Sequence, residues 1–406
     1  MPPRRVAITG LGIISPLGHN LADSWKSLSE GRPAIGPIEA VDCTNLRFKN
    51  GAEVRNFDPT KYFEGGREAH LDRFAQFSVI AAREALTHCG IELTKEMKDR
   101  AAIVCGSSVG GQAAIESGFE DLYVLGRGRV HPLTIPKTMA NAGACHIAME
   151  TGLRGPTYTV STACSSATHA MGQAFRLIRY GECDFAITGG SEAMFTIGML
   201  KSWEAMRVIA PDTCRPFSKD RRGMVLGEGG AMVTLEPMDA AMARGAKIYG
   251  EIVGFGMTSD AHHLTQPTVD GPARAMRGAL NEGKVELEEI GYINAHGTGT
   301  AGNDPTESEA IREVFGAHAD KIGVSSTKSM HGHALGGAGA LEAIATVMAL
   351  HNGILPPTCN YNEPDPECTL DYIPNKPRAL RVGAALSNSF AFGGLNAVLA
   401  FRAVPQ

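Results

Sequence analysis

The sequence has no uninterrupted apolar run of the length that spans a membrane. Its most apolar long stretch, residues 334–350, contains Glu342 and several glycine and alanine residues. A membrane-spanning helix needs ~20 predominantly apolar residues, so we expect this stretch to be a buried helix. The first ten residues, MPPRRVAITG, contain no apolar core of the ~7–15 residues found in secretory signals, and we therefore expect no secretory signal.

Paired cysteines and an excess of basic charge are missing as well. The nine cysteines are scattered without a Cys-x-x-Cys pair, which favours neither a disulfide framework nor a zinc ribbon and points to the cytoplasm. Lysine and arginine number 38 against 43 aspartate and glutamate residues, for a net charge of −5. This balance argues against a nucleic-acid-binding protein.

Nucleotide-binding motifs are also lacking. Gly10-x-Gly12 has Ser15 where a dinucleotide fingerprint has its third glycine, and no Gly-Lys-Ser/Thr phosphate loop occurs. Instead, short apolar runs alternate with stretches of helical periodicity, which predicts an α/β fold with buried, mostly parallel sheets. A break near Lys247 divides the chain into residues 1–247 and 248–406, two halves of similar character.

The first candidate site residue is Cys164, in the segment STACSSA at positions 161–167. The segment lies between a predicted strand and a predicted helix. In such a turn, free backbone N–H groups and the helix dipole favour a thiolate. A thiolate can attack a carbonyl while nearby N–H groups hold the oxyanion. On this segment alone, a small buried cysteine in a tight turn is the alternative.

Two further loops carry histidines after predicted strands. NAHGTGT places His296 at a strand end, where it would face a cleft at the carboxyl edge of the sheet. SSTKSMHGH contains Lys328, His331 and His333. The His-x-His pair suggests a metal site, but the sequence offers no evident third ligand. A hydrogen-bonded structural histidine and a solvated lysine are the alternatives.

A fourth loop, SNSFAFGGLN at positions 387–396, has two glycines directly after Phe392. Such a loop allows backbone N–H groups to approach a ligand closely, although an ordinary turn before the last strand has the same pattern. Taken together, the four loops supply one nucleophile, two histidines and a lysine, each after a strand. This set indicates acyl transfer through a thioester.

Six ordered groups of blocks extend this pattern along the chain: VAITGLGIISPLG, GLRGP with STACSSA, GEGGAMVTLE, NAHGTGT, SSTKSMHGHALGGAGALE and SNSFAFGGLNAV. In these blocks, and over nearly its full length, the chain resembles the β-ketoacyl-acyl carrier protein synthases of the elongating type II class. The resemblance implies a thiolase fold, a duplicated five-layer α/β/α/β/α arrangement that is usually homodimeric. It also implies an acyltransferase that performs a decarboxylative Claisen condensation in fatty acid or related acyl-chain biosynthesis.

The resemblance assigns roles to individual residues. The nucleophile falls on Cys164, the two catalytic histidines on His296 and His333, and the motif lysine on Lys328. The backbone N–H groups of Cys164 and Phe392 would form the oxyanion hole, and Phe392 would also be the gating aromatic residue.

Substrates would arrive on the phosphopantetheine arm of acyl carrier protein, and no cofactor is required. Thr298 and Thr300 match positions that contact this arm, and Val109 matches a position that lines the acyl pocket. Because the carrier is acidic, a basic patch is expected at the tunnel mouth, with Arg67, Arg127, Arg129 and Arg207 as candidates. Some members hold a structural Na⁺ or K⁺ at positions that here are Asn294, Glu342, Ser387 and Asn388.

The chain departs from the family pattern at several positions. Ala391 and Leu395 replace a glycine and a threonine of the gating loop, and His331 occupies a position often taken by threonine. Residues 202–217 look more like the nodulation-factor synthases, which affects the choice of substrate.

Two other interpretations are a non-catalytic partner resembling a chain-length factor and a thiolase that uses coenzyme A. The former lacks the nucleophilic cysteine, whereas Cys164 is present. The latter has a second cysteine near the C-terminus, whereas this sequence has no cysteine after Cys368.

Overall fold

The computed structural model describes residues 3–405, which form α-helices and β-strands in alternation. The strands are β1 (Val6–Ile14), β2 (Gly36–Pro37), β3 (Asn50–Gly51), β4 (Ala101–Gly106), β5 (Thr157–Val160), β6 (Phe185–Glu192), β7 (Gly229–Pro237), β8 (Gly250–Ser259), β9 (Ile290–Asn294), β10 (Gly323–Ser325), β11 (Ile354–Leu355), β12 (Arg378–Ala379), β13 (Ala384–Ala391) and β14 (Leu395–Arg402). The α-helices are α1 (Leu21–Glu30), α2 (Arg73–Cys89), α3 (Lys95–Asp99), α4 (Gln112–Phe119), α5 (Thr134–Thr138), α6 (Ala142–Thr151), α7 (Ser166–Arg179), α8 (Ile197–Met206), α9 (Met238–Ala243), α10 (Asp270–Gly283), α11 (Asn303–Phe315), α12 (Lys328–His331) and α13 (Ala338–Asn352).

Ten of the strands form one hydrogen-bonded sheet, in the order β10-β9-β13-β14-β8-β1-β7-β6-β4-β5. This order contains one five-stranded pattern twice, as β1-β7-β6-β4-β5 and as β8-β14-β13-β9-β10. The strand directions agree between the two copies at every corresponding pair. The copies join where β1 pairs with β8. The topology is therefore duplicated, and the predicted boundary at 247/248 falls between α9 and β8.

The expectation of mostly parallel sheets was wrong. Four neighbouring pairs in the large sheet are parallel, namely β4 with β5 and β6, and β9 with β10 and β13. The other five pairs are antiparallel. A turn of residues 392–394 joins β13 to β14, and so short a connection can join antiparallel strands but not parallel ones. Buried strands have the same apolar composition in either direction, so composition did not reveal this.

Helices separate the strands into layers. Helices α7 and α13 pack against each other and against strands of both copies, which places them in the centre. Helices α2 and α6 cover the outer side of the first copy, and α10 and α11 that of the second. Residues 338–350 of α13 are all buried, as expected for the apolar stretch. Within residues 3–405, no helix is both long enough and apolar enough to cross a membrane.

Each copy begins with a strand whose glycines allow a helix backbone to approach closely. A Cβ atom on Gly12 of β1 would lie 2.0 Å from the carbonyl oxygen of Ala81 on α2. A Cβ atom on Gly256 of β8 would lie 1.9 Å from the carbonyl oxygen of Ala275 on α10. Since the obstacle is backbone, it cannot rotate away. The Gly10-x-Gly12 pattern thus serves strand–helix packing, and Gly254-x-Gly256 is its counterpart.

We predict that Gly12→Ala and Gly256→Ala each lower the free energy of unfolding by about 1–3 kcal/mol, because the added methyl group forces the helix away from the strand. Urea denaturation measures this change. Gly383→Ala is the matched control, because no atom lies within 4 Å of its added Cβ, and we expect its effect to stay within about 0.5 kcal/mol. Equal effects at all three positions would contradict the packing argument.

Candidate active site

The duplication brings Cys164 and His333 to corresponding places in the fold. Cys164 lies in the turn between β5 and α7, and His333 lies between β10 and α13. Since α7 and α13 are the paired central helices, the two turns meet in the middle of the molecule. Ala163, directly before the cysteine, has a φ of +51°, a left-handed conformation that makes this turn sharp.

The predicted nucleophile and histidines share one cavity of about 150 Å³. Its lining includes Cys164, His296, His333 and Phe392. The two imidazole rings are nearly perpendicular, with centroids 5.3 Å apart. Cys164 is 7% exposed and both histidines are less exposed still. Four distant segments of the chain therefore enclose one chamber that excludes most water.

Opposing effects act on the Cys164 thiol. The backbone N–H groups of Cys164 and Phe392 point at its sulfur, and the positive charge of Lys328 lies nearby; all three lower its pKa. Burial has the larger effect and raises the pKa of Cys164 to about 11. The N–H groups of the turn therefore favour the thiolate, but the desolvation of the sulfur outweighs them.

The histidines are neutral in this chamber. Burial, followed by the charge of Lys328, holds the pKa of His296 and of His333 well below 6.5. Lys328 donates to the carbonyl oxygen of His296 at 2.7 Å, and its Nζ lies 3.3 Å from Nδ1 of the same ring. An ammonium group is a donor only, so Nδ1 accepts and the ring proton is on Nε2.

Lys328 is itself fully buried and forms an ion pair with Glu342 of α13. Burial raises the pKa of the Glu342 carboxyl to about 7, although Lys328 lowers it. The alternative of a solvated lysine therefore does not hold. The contacts of Lys328 with His296 and Glu342 connect the loop after β9 to the central helix α13.

Two buried carboxylates that the sequence did not single out hold the His296 loop. Glu307 accepts hydrogen bonds from the backbone N–H groups of His296 and Gly297, both at 2.8 Å. Asp304 accepts from the N–H groups of Phe217 and Gly299, at 2.7 and 3.1 Å. Both lie on α11, one turn apart, and this spacing after NAHGTGT is the signal that could have found them.

The predicted substrate-binding residues divide into two groups. Thr298 and Thr300 line the cavity, with their hydroxyl oxygens 2.8 Å apart. Val109 is half-buried, and its backbone N–H points at Glu192 from 3.4 Å. The structure thus brings the threonines to the cavity, while Val109 lies outside its lining.

The four arginines predicted for docking are dispersed. Arg207 follows α8 directly and precedes Val208, which lines the cavity. Arg67 pairs with Glu150, and Arg127 pairs with Asp121. Arg129 is exposed in the same segment as Arg127. Of the four, Arg207 is therefore the one whose chain neighbour reaches the cavity.

The predicted cation-site residues carry buried oxygens without hydrogen-bond partners among residues 3–405. These oxygens are Oδ1 of Asn294, Oε2 of Glu342, Oγ of Ser387 and Oδ1 of Asn388. Ser387 and Asn294 are adjacent on β13 and β9, and the Asn294 amide lies 3.4 Å from the carbonyl oxygen of Glu342. Buried oxygens without partners call for a missing ligand, and the oxygens of Asn294, Glu342 and Ser387 fit a cation.

Two side chains near these oxygens have other partners. The Asn388 amide donates to Glu307 at 3.1 Å, and because Asn388 follows Ser387 on a strand, it faces the opposite side of the sheet. His331 uses both ring nitrogens, with Nδ1 2.8 Å from the carbonyl oxygen of Gly332 and Nε2 3.0 Å from the Thr327 hydroxyl. The His-x-His pair therefore has no free nitrogen on His331 for a metal.

Known protein families and individual proteins are similar to this chain over most of its length. Sequence models of the β-ketoacyl synthase N-terminal and C-terminal domains match residues 3–277 and 249–362. Nodulation protein E from a Rhizobium species is 48% identical over 401 residues, 99% of this chain and 100% of that protein. 3-Oxoacyl-[acyl-carrier-protein] synthase 2 from a Synechocystis species is 43% identical over 407 residues, 98% of each chain.

Solved structures are similar over the same length. One, described as the ishigamide ketosynthase/chain length factor, superimposes with a TM-score of 0.94 at 36% identity, over 99% of this chain and 100% of that one. Another, a type II polyketide synthase acyl-carrier protein in complex with its ketosynthase, gives a TM-score of 0.90 at 30% identity with the same coverage. Together with the duplicated α/β topology, these matches show that the chain belongs to the β-ketoacyl synthase family and has its thiolase fold.

Proposed function

We propose that this protein is a β-ketoacyl-acyl carrier protein synthase, an acyltransferase that condenses a cysteine-bound acyl chain with a malonyl thioester. One observation carries the proposal. The sulfur of Cys164 faces two backbone N–H groups in a buried cavity that it shares with two neutral imidazoles. This arrangement provides a nucleophile, a place for an oxyanion and a second pair of donors.

In the first half-reaction, the Cys164 sulfur attacks the carbonyl carbon of an acyl thioester. The oxyanion that forms accepts hydrogen bonds from the N–H groups of Cys164 and Phe392. The new carbon–sulfur bond remains when the carrier thiolate leaves, and the thiol proton goes to that thiolate. Because the resting thiol is protonated, proton loss accompanies attack.

In the second half-reaction, His296 and His333 hold the carbonyl oxygen of the malonyl thioester. The carbon–carbon bond to the carboxylate breaks and CO2 leaves. The electron pair of that bond forms an enolate, whose oxygen the two histidines stabilise. Neutral imidazoles suit this role, since each can offer an N–H donor in a site with little water. The enolate carbon then attacks the acyl carbonyl carbon, the new carbon–carbon bond forms and the carbon–sulfur bond breaks. The released Cys164 thiolate takes a proton from solvent and returns to the resting thiol.

The carrier is proposed to be acyl carrier protein, as in the ketosynthase complex described above. Thr298 and Thr300 would hydrogen-bond its phosphopantetheine arm along the cavity. An acidic carrier would meet Arg207 beside the entrance. No bound cofactor takes part in either half-reaction, and the nine free thiols support a reducing compartment, the cytoplasm.

A homodimer is proposed from the far end of the sheet. There β5 is the edge strand, with Tyr158 exposed. Nearby segments of the chain expose large apolar side chains: Phe119, Leu122, Tyr123, Val124, Leu125, Ile135 and Met139. An open edge and many exposed apolar side chains are typical of a surface that a second copy covers.

A structural Na⁺ or K⁺ is proposed beside the chamber, held by Asn294, Glu342 and Ser387. The cation would coordinate the unpartnered oxygens and stabilise the end of β9 that positions His296. Asn388 would contribute through its backbone, since its side chain faces Glu307.

We expect incubation with carrier protein that bears an acyl group to add one acyl group to Cys164. Cys164→Ala should abolish this adduct, because the sulfur forms the bond. Mass spectrometry of the intact protein measures it. Cys214→Ala is the matched control, since this buried thiol bonds the carbonyl oxygen of Thr298 but does not line the cavity, and it should still be acylated. No adduct on the unaltered protein would contradict the proposal and favour a non-catalytic partner subunit.

We expect His333→Ala to reduce malonyl decarboxylation at least about 100-fold, the usual effect of losing an oxyanion donor, while Cys164 is still acylated. Release of labelled CO2 and adduct formation are measured separately. His331→Thr, two residues away and outside the cavity lining, should leave CO2 release largely unchanged. Unchanged CO2 release in His333→Ala would refute its assigned role.

We expect KCl or NaCl to raise the melting temperature above that in tetramethylammonium chloride of equal ionic strength. A bound cation stabilises the folded state by about 1.4 kcal/mol at ten times its Kd. Ser387→Ala should lose most of this difference, whereas Ser389→Ala, whose hydroxyl has a partner in Thr168, should keep it. Equal melting temperatures in all salts would contradict the cation site.

A further inference from the structure

One aromatic contact to a residue that lines the cavity has no part in the mechanism above. The indole of Trp203 stacks on the ring of Phe392, with centroids 6.2 Å apart and planes inclined by 24°. Both side chains are half-buried. Trp203 also packs on the apolar cluster that contains Cys164 and Ala391. The tryptophan thus contacts the residue whose backbone N–H points at the reactive sulfur.

Trp203 lies on a helix that is anchored to its surroundings at two places. At the start of α8, the N–H groups of Ile197 and Gly198 donate to the carboxylate of Glu116, at 2.8 and 2.7 Å. Further along, Lys201 donates to the carbonyl oxygen of Asn45, and Glu204 accepts from the N–H of Arg47. These bonds make α8 a fixed wall for the tryptophan.

The loop that carries Phe392 is held less firmly. Gly393 and Gly394 have φ values of +85° and +68°, so the turn after Phe392 uses conformations that glycine adopts easily. At the two glycines the loop is held by backbone hydrogen bonds. The N–H of Gly393 donates to the carbonyl oxygen of Leu264 at 2.7 Å, and the N–H of Asp260 donates to that of Gly394 at 2.8 Å. On the Phe392 side, the backbone N–H points at the Cys164 sulfur, and the ring stacks on the indole of Trp203 on the fixed helix α8.

We propose that Trp203 is a positioning residue that holds Phe392 in the closed position. While the rings are stacked, the Phe392 N–H stays directed at Cys164 and the ring covers the approach to the sulfur. The proposal rests on the role assigned to Phe392 in the proposed function. An aromatic pair of this geometry shifts an equilibrium between two positions about two- to tenfold.

Loss of the stack should change two rates in opposite directions. Acylation should slow, because the oxyanion donor is in place for less of the time. Alkylation by a small reagent should accelerate, because an open loop exposes the sulfur and relieves the burial that raises its pKa. General damage to the fold would also expose the sulfur, so the recovery of both rates expected in Trp203→Phe is the result that separates the two causes.

The test compares Trp203→Leu, Trp203→Phe and Trp25→Leu with the unaltered protein. The probes are octanoyl-pantetheine at saturation and iodoacetamide, with adducts at Cys164 quantified by peptide mass spectrometry. We expect Trp203→Leu to be acylated about two- to tenfold more slowly and alkylated faster by a similar factor. Trp203→Phe keeps a ring and should restore both rates. Trp25→Leu removes the other tryptophan, which lies on α1 and packs on an apolar cluster whose residues do not line the cavity, and should change neither.

Unchanged acylation or alkylation in Trp203→Leu overturns the proposal, as does a Trp203→Phe variant that behaves like Trp203→Leu. If the unaltered protein is not acylated, the proposed function fails, and the alkylation series alone then decides on Trp203. Faster alkylation in Trp203→Leu with recovery in Trp203→Phe would still support Trp203 as the residue that holds Phe392 in place.

Discussion

The chamber around Cys164 depends on the burial of one ammonium group. Lys328 is enclosed on all sides, and a buried charge of this kind is tolerated when it is paired and hydrogen-bonded. Its partners are the Glu342 carboxylate on α13 and the backbone and ring of His296. The same contacts fix the His296 tautomer and direct positive charge toward the sulfur. One side chain therefore connects the two sides of the chamber and sets its electrostatics.

The duplicated topology explains why the chamber lies where it does. Each copy of the five-stranded pattern contributes one central helix, and α7 and α13 lie side by side between the layers. The turn before α7 carries the cysteine, and the turn before α13 carries His333. In the proposed reaction the two copies have different roles. The first supplies the nucleophile, and the second supplies the imidazole donors. Glycines at corresponding positions of β1 and β8 keep the outer helices close in both copies.

Much of the fold followed from local patterns, and the exceptions have physical causes. The predicted alternation of strands and helices is present, for example at residues 21–30, 157–160 and 323–325, where apolar periodicity and flanking turn residues agree. Helix α10 forms although it contains Gly271, Pro272 and Gly278, residue types that are typical of loops. Tertiary packing overrides that weak local preference. Strand direction also escaped prediction, because it is decided by connections rather than composition.

The sequence by itself determined which chemical groups are available and in which loops they lie: one thiol, two imidazoles, an amine and a glycine turn, each after a strand. Only the tertiary structure decided their protonation and neighbours, because both depend on desolvation and on contacts between distant segments. Burial keeps the histidines neutral and, for Cys164, outweighs the N–H groups of the turn that favour the thiolate. The tertiary structure also placed Thr298 and Thr300 in the cavity and left Val109 outside its lining.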